Sequence, residues 1–192
     1  MATIDILIVV DGSQLAAQAT DGALLAGSAD SPTPIGIYGT SGIYIMMITP
    51  FGTIVDNSGD QPELHVNAER GGTIRWAITT IDNNRSQTAY LYNGFANKSV
   101  IDISFYSCKA VKTYLATGNP PAKKPTKFLN HVSTVLKYTE LPTAALEDGI
   151  FFTLVDNKNG QTIGYFTWSP VVYLDYLQPG NDKPTGEPKG KK

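Results

Sequence analysis

Residues Phe152-Thr-Leu-Val-Asp-Asn-Lys-Asn-Gly-Gln-Thr-Ile-Gly-Tyr-Phe-Thr-Trp168 set two runs of strand character around an Asp-Asn-Lys-Asn-Gly centre. Before the centre, Ile150, Phe152 and Leu154 fall on alternate positions; after it, Ile163, Tyr165 and Thr167 do the same. Successive side chains of a strand point to opposite faces, so this is the spacing of half-buried strands. The centre reads three ways: a metal loop, a sugar-binding loop or a tight bend. Asp156, Lys158 and Gly160 resemble the opening of an oxygen-ligand calcium loop. However, Lys158 puts a cation where a ligand oxygen belongs, Gln161 stands where that loop needs glycine, and no helical period flanks it. Asn159-Gly160 is instead a strong hairpin signal, because both residues tolerate positive φ. The reading is two strands joined by a hairpin that holds no metal.

The same alternation extends outward. Ile4, Ile6, Ile8 and Val10 share one face of an extended segment, and so do Ile74, Trp76 and Ile78, with Thr73, Arg75 and Thr79 opposite. Ile101, Ile103 and Phe105 repeat the pattern, and further strands are expected near 43–49, 62–67, 88–93, 131–138, 149–155, 161–168 and 171–175. Turn signals separate them at Asp56-Asn-Ser-Gly-Asp60, Asp82-Asn-Asn84, Gly118-Asn-Pro-Pro121 and Asp156–Gly160. Roughly ten short strands so punctuated point to a β-sandwich or barrel. Helix is confined to about two turns from Ser13, with Ser13 as N-cap, and one turn at Leu141–Leu146. Segment 27–42 is expected to cross an end of the sandwich. Residues 1–176 read as a single domain, and 177–192 as a polar tail with too little apolar surface to offset its ordering entropy.

Bulk composition limits the function classes. With 192 residues and 42% hydrophobic content, the chain suits one domain with a real core. The formal net charge is −2, and only 17% of residues are charged, so no basic field is available for nucleic acid. Cys108 is the single cysteine, which excludes an internal disulfide. The N-terminal segment lacks a basic start and carries Asp5 and Asp11, unlike a secretion signal. No apolar run approaches the ~20 residues that span a bilayer. The expectation is a cytoplasmic protein with neither a membrane nor a nucleic-acid partner.

Candidate chemistry is sparse. His65 and His131 read as ordinary strand histidines, and one cysteine with two separated histidines gives no zinc spacing. Pairing of Cys108 with either histidine is weaker than its reading as a structural thiol. Asp56 and Asp60 give their turn two carboxylates, which makes it the better ion candidate, although it reads first as a turn. The sequence therefore names no catalytic, cofactor-binding or metal-binding residue. Tyr90, Tyr92, Tyr165, Phe166, Trp168, Tyr173 and Tyr176 could form a sugar-stacking platform, but aromatics on strands are more often core or interface. Both faces of Ile43–Ile48 and of Ile150–Val155 are apolar. Strands of that kind want cover from a loop or a second subunit, most simply in a two-fold homodimer.

The order Ile4–Asp11, a Pro-containing connection, Ile43-Tyr-Ile-Met-Met-Ile48, Gly71-Gly-Thr-Ile-Arg-Trp76 and Gly164-Tyr-Phe-Thr-Trp-Ser-Pro-Val-Val172 resembles the AidA/PixA inclusion body protein family of bacteria. The resemblance covers residues 3 to 175, carried chiefly by the Gly-x-x-Ile-Arg-Trp strand and the closing Gly-Tyr-Phe-x-Trp-x-Pro. Thr73 and Ser169 depart from it, since the family pattern sets an acid at each of those places. The resemblance implies an all-β fold, a jelly-roll-like antiparallel β-sandwich with at most one or two short helices. It also implies an abundant intracellular protein, in some members packed into cytoplasmic inclusions. AidA-type members are linked to quorum-sensing control and to virulence toward nematodes. No enzymatic activity or cofactor comes with the family. The expected function is a non-enzymatic, self-associating protein of this kind; the alternative is a lectin-like sandwich binding a carbohydrate ligand, with or without calcium.

Overall fold

Alternating apolar and polar residues become strands over most of the described residues. The computed structural model describes residues 3–36, 43, 45–50, 54–56, 63–68, 71–95, 103–115, 126–138, 146–147 and 149–176. In chain order the elements are β1 (Thr3–Val10), α1 (Gly12–Asp21), β2 (Thr33–Pro34), β3 (Ile45–Ile48), β4 (Ile54–Asp56), β5 (Glu63–Ala68) and β6 (Thr73–Thr80). They continue as β7 (Gln87–Phe95), β8 (Ile103–Leu115), β9 (Thr126–Tyr138), β10 (Leu146–Glu147), β11 (Gly149–Asp156), β12 (Thr162–Trp168) and β13 (Val171–Tyr176).

Hydrogen bonding groups the strands as β3-β1-β6-β9-β8, β10-β13-β5-β4 and β2-β12-β11-β7. Their inward faces meet in one core, to which β1 gives Ile4, Ile6, Ile8 and Val10, and β6 gives Ile74, Trp76 and Ile78. Leu64 and Val66 enter from β5, and Phe152 and Phe166 from the third sheet. Those two rings pack 5.8 Å apart at 40°. Each fully buried side chain of this size contributes about 1.5–3 kcal/mol by leaving water. The fold is an all-β sandwich. Its sheets are mixed rather than purely antiparallel, because β1 pairs with β6, β2 with β12 and β13 with β5 in parallel. A parallel pair needs a long crossover. Residues 11–72 supply it between β1 and β6.

The helix starts two residues earlier than its sequence signal. Asp11, not Ser13, is the N-cap, and its Oδ1 accepts from the Gln14 N–H at 3.0 Å. A carboxylate there satisfies one of the unpaired N–H groups of the first turn and complements the helix dipole. Gly22, at φ 81°, ends the helix in the left-handed conformation. Leu146 belongs to β10, not to a second helix; 141–145 lie outside the described residues. Segment 27–42 does not simply cross an end of the sandwich. Its described part places β2 at the edge of the third sheet, where the Pro34 nitrogen costs no ladder bond. Among the described residues, no helix is long and apolar enough to cross a membrane.

Candidate functional site

The Asp-Asn-Lys-Asn-Gly centre is a hairpin loop between β11 and β12. Asp156 N–H donates to the Gln161 carbonyl at 2.9 Å, and Gly160 N–H to the Asp156 carbonyl at 2.8 Å, which encloses a four-residue loop. Only Gly160 of this loop has positive φ, at 71°, so Asn159 does not take the left-handed role that its pairing with glycine suggests. Two of the loop's side-chain oxygens serve its own backbone. Asp156 Oδ1 accepts from the Lys158 N–H, and Asn159 Oδ1 from the Gln161 N–H, each at 2.8 Å. These are Asx turns, the local chemistry that competes with cation binding for the same oxygens.

A second turn, between β6 and β7, is locked against the first. Asn83 and Asn84 both sit in the left-handed region, at φ 58° and 57°, where asparagine is among the better-tolerated side chains. Asn84 Oδ1 accepts from the N–H groups of Thr80 at 3.1 Å and Ala89 at 3.2 Å. Asp82 accepts from Thr80 Oγ1 at 2.6 Å, Arg85 N–H at 3.1 Å and Ser86 N–H at 2.8 Å. Burial pushes the Asp82 carboxyl upward, but these bonds outweigh it and bring the pKa from 3.8 to about 2. Asn157 joins the two turns. Its Oδ1 accepts from buried Thr88 Oγ1 at 2.7 Å, its Nδ2 donates to the Asn84 carbonyl at 2.8 Å, and its N–H donates to the Ser86 carbonyl at 3.1 Å. Between the turns lies an open cleft of about 430 Å³, lined by Arg85, Ser86, Gln87, Asp156, Asn157 and Lys158.

The remaining residues singled out by sequence are dispersed. Asp56 ends β4 in the second sheet, in register with His65, whereas Asp156 belongs to the third; Asp60 lies outside the described residues. Cys108 is in register with Thr134, and His131 with Val111. That places them three positions apart along the β8–β9 pair, ~10 Å at ~3.3 Å per residue. Among the described residues, no three His, Cys, Asp or Glu side chains cluster as metal ligands would.

The aromatic candidates divide. Phe166 and Trp168 are core, and Tyr173 and Tyr176 lie on β13, whose side chains are outside the description. Tyr90, Tyr92 and Tyr165 are half-buried on the outer face of the third sheet. Phe151 joins them there, with its ring 6.1 Å from that of Tyr92, and Tyr92 meets Tyr165 edge-on at 5.7 Å. The Tyr92 hydroxyl donates to the Ala29 carbonyl at 3.1 Å. Burial first, then the proximity of Tyr165 and Asp30, raises its pKa. Phe151 carried a signal in the sequence, the doubly apolar run Ile150–Val155.

The first sheet presents a different outer face. Among the described residues, five large apolar side chains are exposed: Leu7, Leu25, Met46, Ile48 and Ile81. Leu7, Met46 and Ile48 lie on the outward side of β1 and β3, and Ile81 is the first residue after β6. Leu7 is in register with Ile48, and Val9 with Met46. At one end of this strip, Arg75 Nε and Nη2 donate to the two Asp5 carboxylate oxygens at 2.5 and 2.7 Å.

The motifs carrying the resemblance are structural. Gly72, Ile74 and Trp76 are buried, as are Gly164, Phe166, Trp168 and Pro170, while Ser169 is exposed. Residues 2–174 match the family model described as PixA, inclusion body protein. No curated protein matches the chain. The crystal structure of the inclusion body protein from Burkholderia cenocepacia J2315 aligns with a TM-score of 0.61 at 15% identity, covering 90% of this chain and 95% of that one. The cysteine protease inhibitor EhICP2 from Entamoeba histolytica aligns at 0.28 and 12% identity, over 58% of this chain and 85% of that one. A likeness that slight carries no argument. The first alignment supports the shared fold, and the family match spans nearly the whole chain; this protein belongs to the PixA family of inclusion body proteins.

Proposed function

We propose that the protein is a non-catalytic structural component that associates with copies of itself and packs into inclusions in the cytoplasm. The observation that carries this reading is the concentration of exposed Leu7, Met46 and Ile48 on one sheet face. Contiguous exposed apolar surface on a folded domain marks a contact site. The family's description as inclusion body proteins supports it. Production at high cell density and action toward a nematode host extend the reading on the strength of the family resemblance. Light scattering at tens of micromolar tests the core of it: an oligomer is expected, and a monomer overturns it. Turnover of a substrate, abolished by a point substitution, overturns the non-catalytic part.

A second reading, carbohydrate binding, is favoured by the outward aromatics Tyr90, Tyr92, Phe151 and Tyr165. Ring faces stack on the C–H faces of sugars, and half-exposed rings offer such surface. A glycan array with and without calcium tests it. A binder lost on Tyr165→Ala supports this reading, and an array without binders removes it.

A further inference from the structure

We propose that Asn159, in the hairpin loop between β11 and β12, is a site of spontaneous deamidation, where the chain converts its own asparagine into aspartate and isoaspartate. The inference stands apart from the self-association reading. Asn-Gly occurs twice in the chain, at Asn93-Gly94 and at Asn159-Gly160. Such pairs are reactive because glycine has no Cβ to keep its nitrogen away from the preceding side chain. The reaction is internal. The glycine nitrogen gives its proton to solvent base and attacks the asparagine Cγ. The Cγ–Nδ2 bond breaks, and ammonia leaves with a proton. Water then opens the five-membered succinimide at either carbonyl. One opening leaves aspartate; the other routes the backbone through Cγ. In sum, one water enters and one ammonia leaves, and no oxidant or cofactor takes part.

Geometry separates the two sites. Asn159 and Gly160 are both exposed and lie outside the strands. The space beside Gly160 is open: beyond its chain neighbours, no heavy atom lies within 4 Å of where a Cβ would stand. Asn159 Oδ1 accepts from the Gln161 N–H at 2.8 Å. That oxygen takes up negative charge as Cγ becomes tetrahedral, and a donor already aimed at it stabilises the charge. Gly160 N–H is held by the Asp156 carbonyl at 2.8 Å. This bond must open before the proton leaves, and an exposed loop opens locally at low cost. Asn93 is placed otherwise. Gly94 N–H donates to Asn93 Oδ1 at 2.9 Å, so the donor on that oxygen is the nucleophile itself and is lost when it ionises. Asn93 and Gly94 also stand in β7, in register with Phe151 and Ile150 of β11. The succinimide ring is nearly planar and requires the chain to leave its extended ψ, which the paired strand resists. Conversion at Asn159 adds a negative charge next to Lys158. In the isoaspartate branch it also adds a methylene to the backbone of a loop that Asp156 and Gln161 close and that Asn157 ties to the neighbouring turn. A long-lived copy thus marks its age in this loop.

The test incubates the full chain at 37 °C, at pH 7 and pH 9, folded in buffer and unfolded in guanidinium chloride. Peptide mass spectrometry follows each asparagine, since a conversion adds one dalton in ordinary water and three in oxygen-18 water. An isoaspartyl methyltransferase reads the isoaspartate branch. In the folded protein, conversion at Asn159 is expected to run at least tenfold faster than at Asn93, and faster at pH 9 than at pH 7. In the unfolded chain the two rates are expected to converge. Asn159→Ser, with far-ultraviolet circular dichroism as the folding check, is expected to remove the isoaspartyl signal of the folded protein. The wild-type comparison of the two sites stands without that variant. Equal rates at the two sites in the folded protein, or a faster Asn93, overturn the proposal. So does a folded chain that converts neither site, and so does an isoaspartyl signal that survives Asn159→Ser.

Discussion

A single carboxylate organises the turn between β6 and β7. Asp82 accepts hydrogen bonds from Thr80, Arg85 and Ser86 and is brought to a pKa of about 2, below its ordinary 3.8. A group whose folded pKa is depressed adds stability above its unfolded pKa, and that contribution disappears as pH falls through the folded value. The thermal midpoint of the wild type is therefore expected to drop between about pH 4 and pH 2, with a flatter dependence in Asp82→Asn. Parallel curves for the two proteins would mean that other carboxylates carry the acid response. Asp82-Asn-Asn84 was legible as a turn. Which of its residues serves as the bonding hub was not, because that depends on Thr80, Arg85 and Ser86 converging through a backbone geometry that composition does not specify.

Elements with a strong period were the most legible. β6 falls on Thr73–Thr80, where the alternation placed it, and β1, β5, β7 and β11–β13 lie within two residues of expectation. β8 continues to Leu115 and β9 begins at Thr126, beyond the signals near 101–105 and 131–138. Long strands need not alternate cleanly, since pairing with a neighbour can sustain them where the local pattern fades. β2, β4 and β10 were missed: two or three residues carry no period, and only a neighbour's edge makes them strands. The joined pair of turns was equally invisible, because it links residue 84, in the connection between two sheets, with residue 157, in a hairpin of one of them. Asn157→Ala is expected to cost about 1–3 kcal/mol, chiefly by leaving the buried Thr88 hydroxyl without its acceptor. Urea unfolding measures this; a loss below about 0.5 kcal/mol would show that the turns hold position without it.

For the whole molecule, strand number and turn spacing narrowed the class to a β-sandwich or barrel and the family resemblance chose the sandwich, whereas the parallel pairings followed from neither. Register between distant strands is decided by which faces can be buried together, and a local pattern is silent on direction. The apolar outer face was partly visible, in the doubly apolar run Ile43–Ile48. Its completion by Leu7 required β1 to lie beside β3, a neighbour relation that the sequence does not state. The aromatic face behaves likewise: three of its tyrosines were marked in advance, and Phe151 joins them only through the pairing of β11 with β7 and β12.

The parallel pairing of β1 with β6 also orders events during synthesis. Residues 3–10 leave the ribosome before the other strands, yet their central partner is complete only at residue 80. At ~5–20 residues per second, the earliest apolar strand waits several seconds with one edge unpaired. Its antiparallel neighbour β3 arrives sooner, so a two-stranded ribbon precedes the sheet. Contacts of such sequence separation slow folding and lengthen the exposure of sticky intermediates. Neighbouring chains on one polysome thus lie close together while Ile4, Ile6, Ile8 and Val10 are still uncovered, which is when mispairing has its opening.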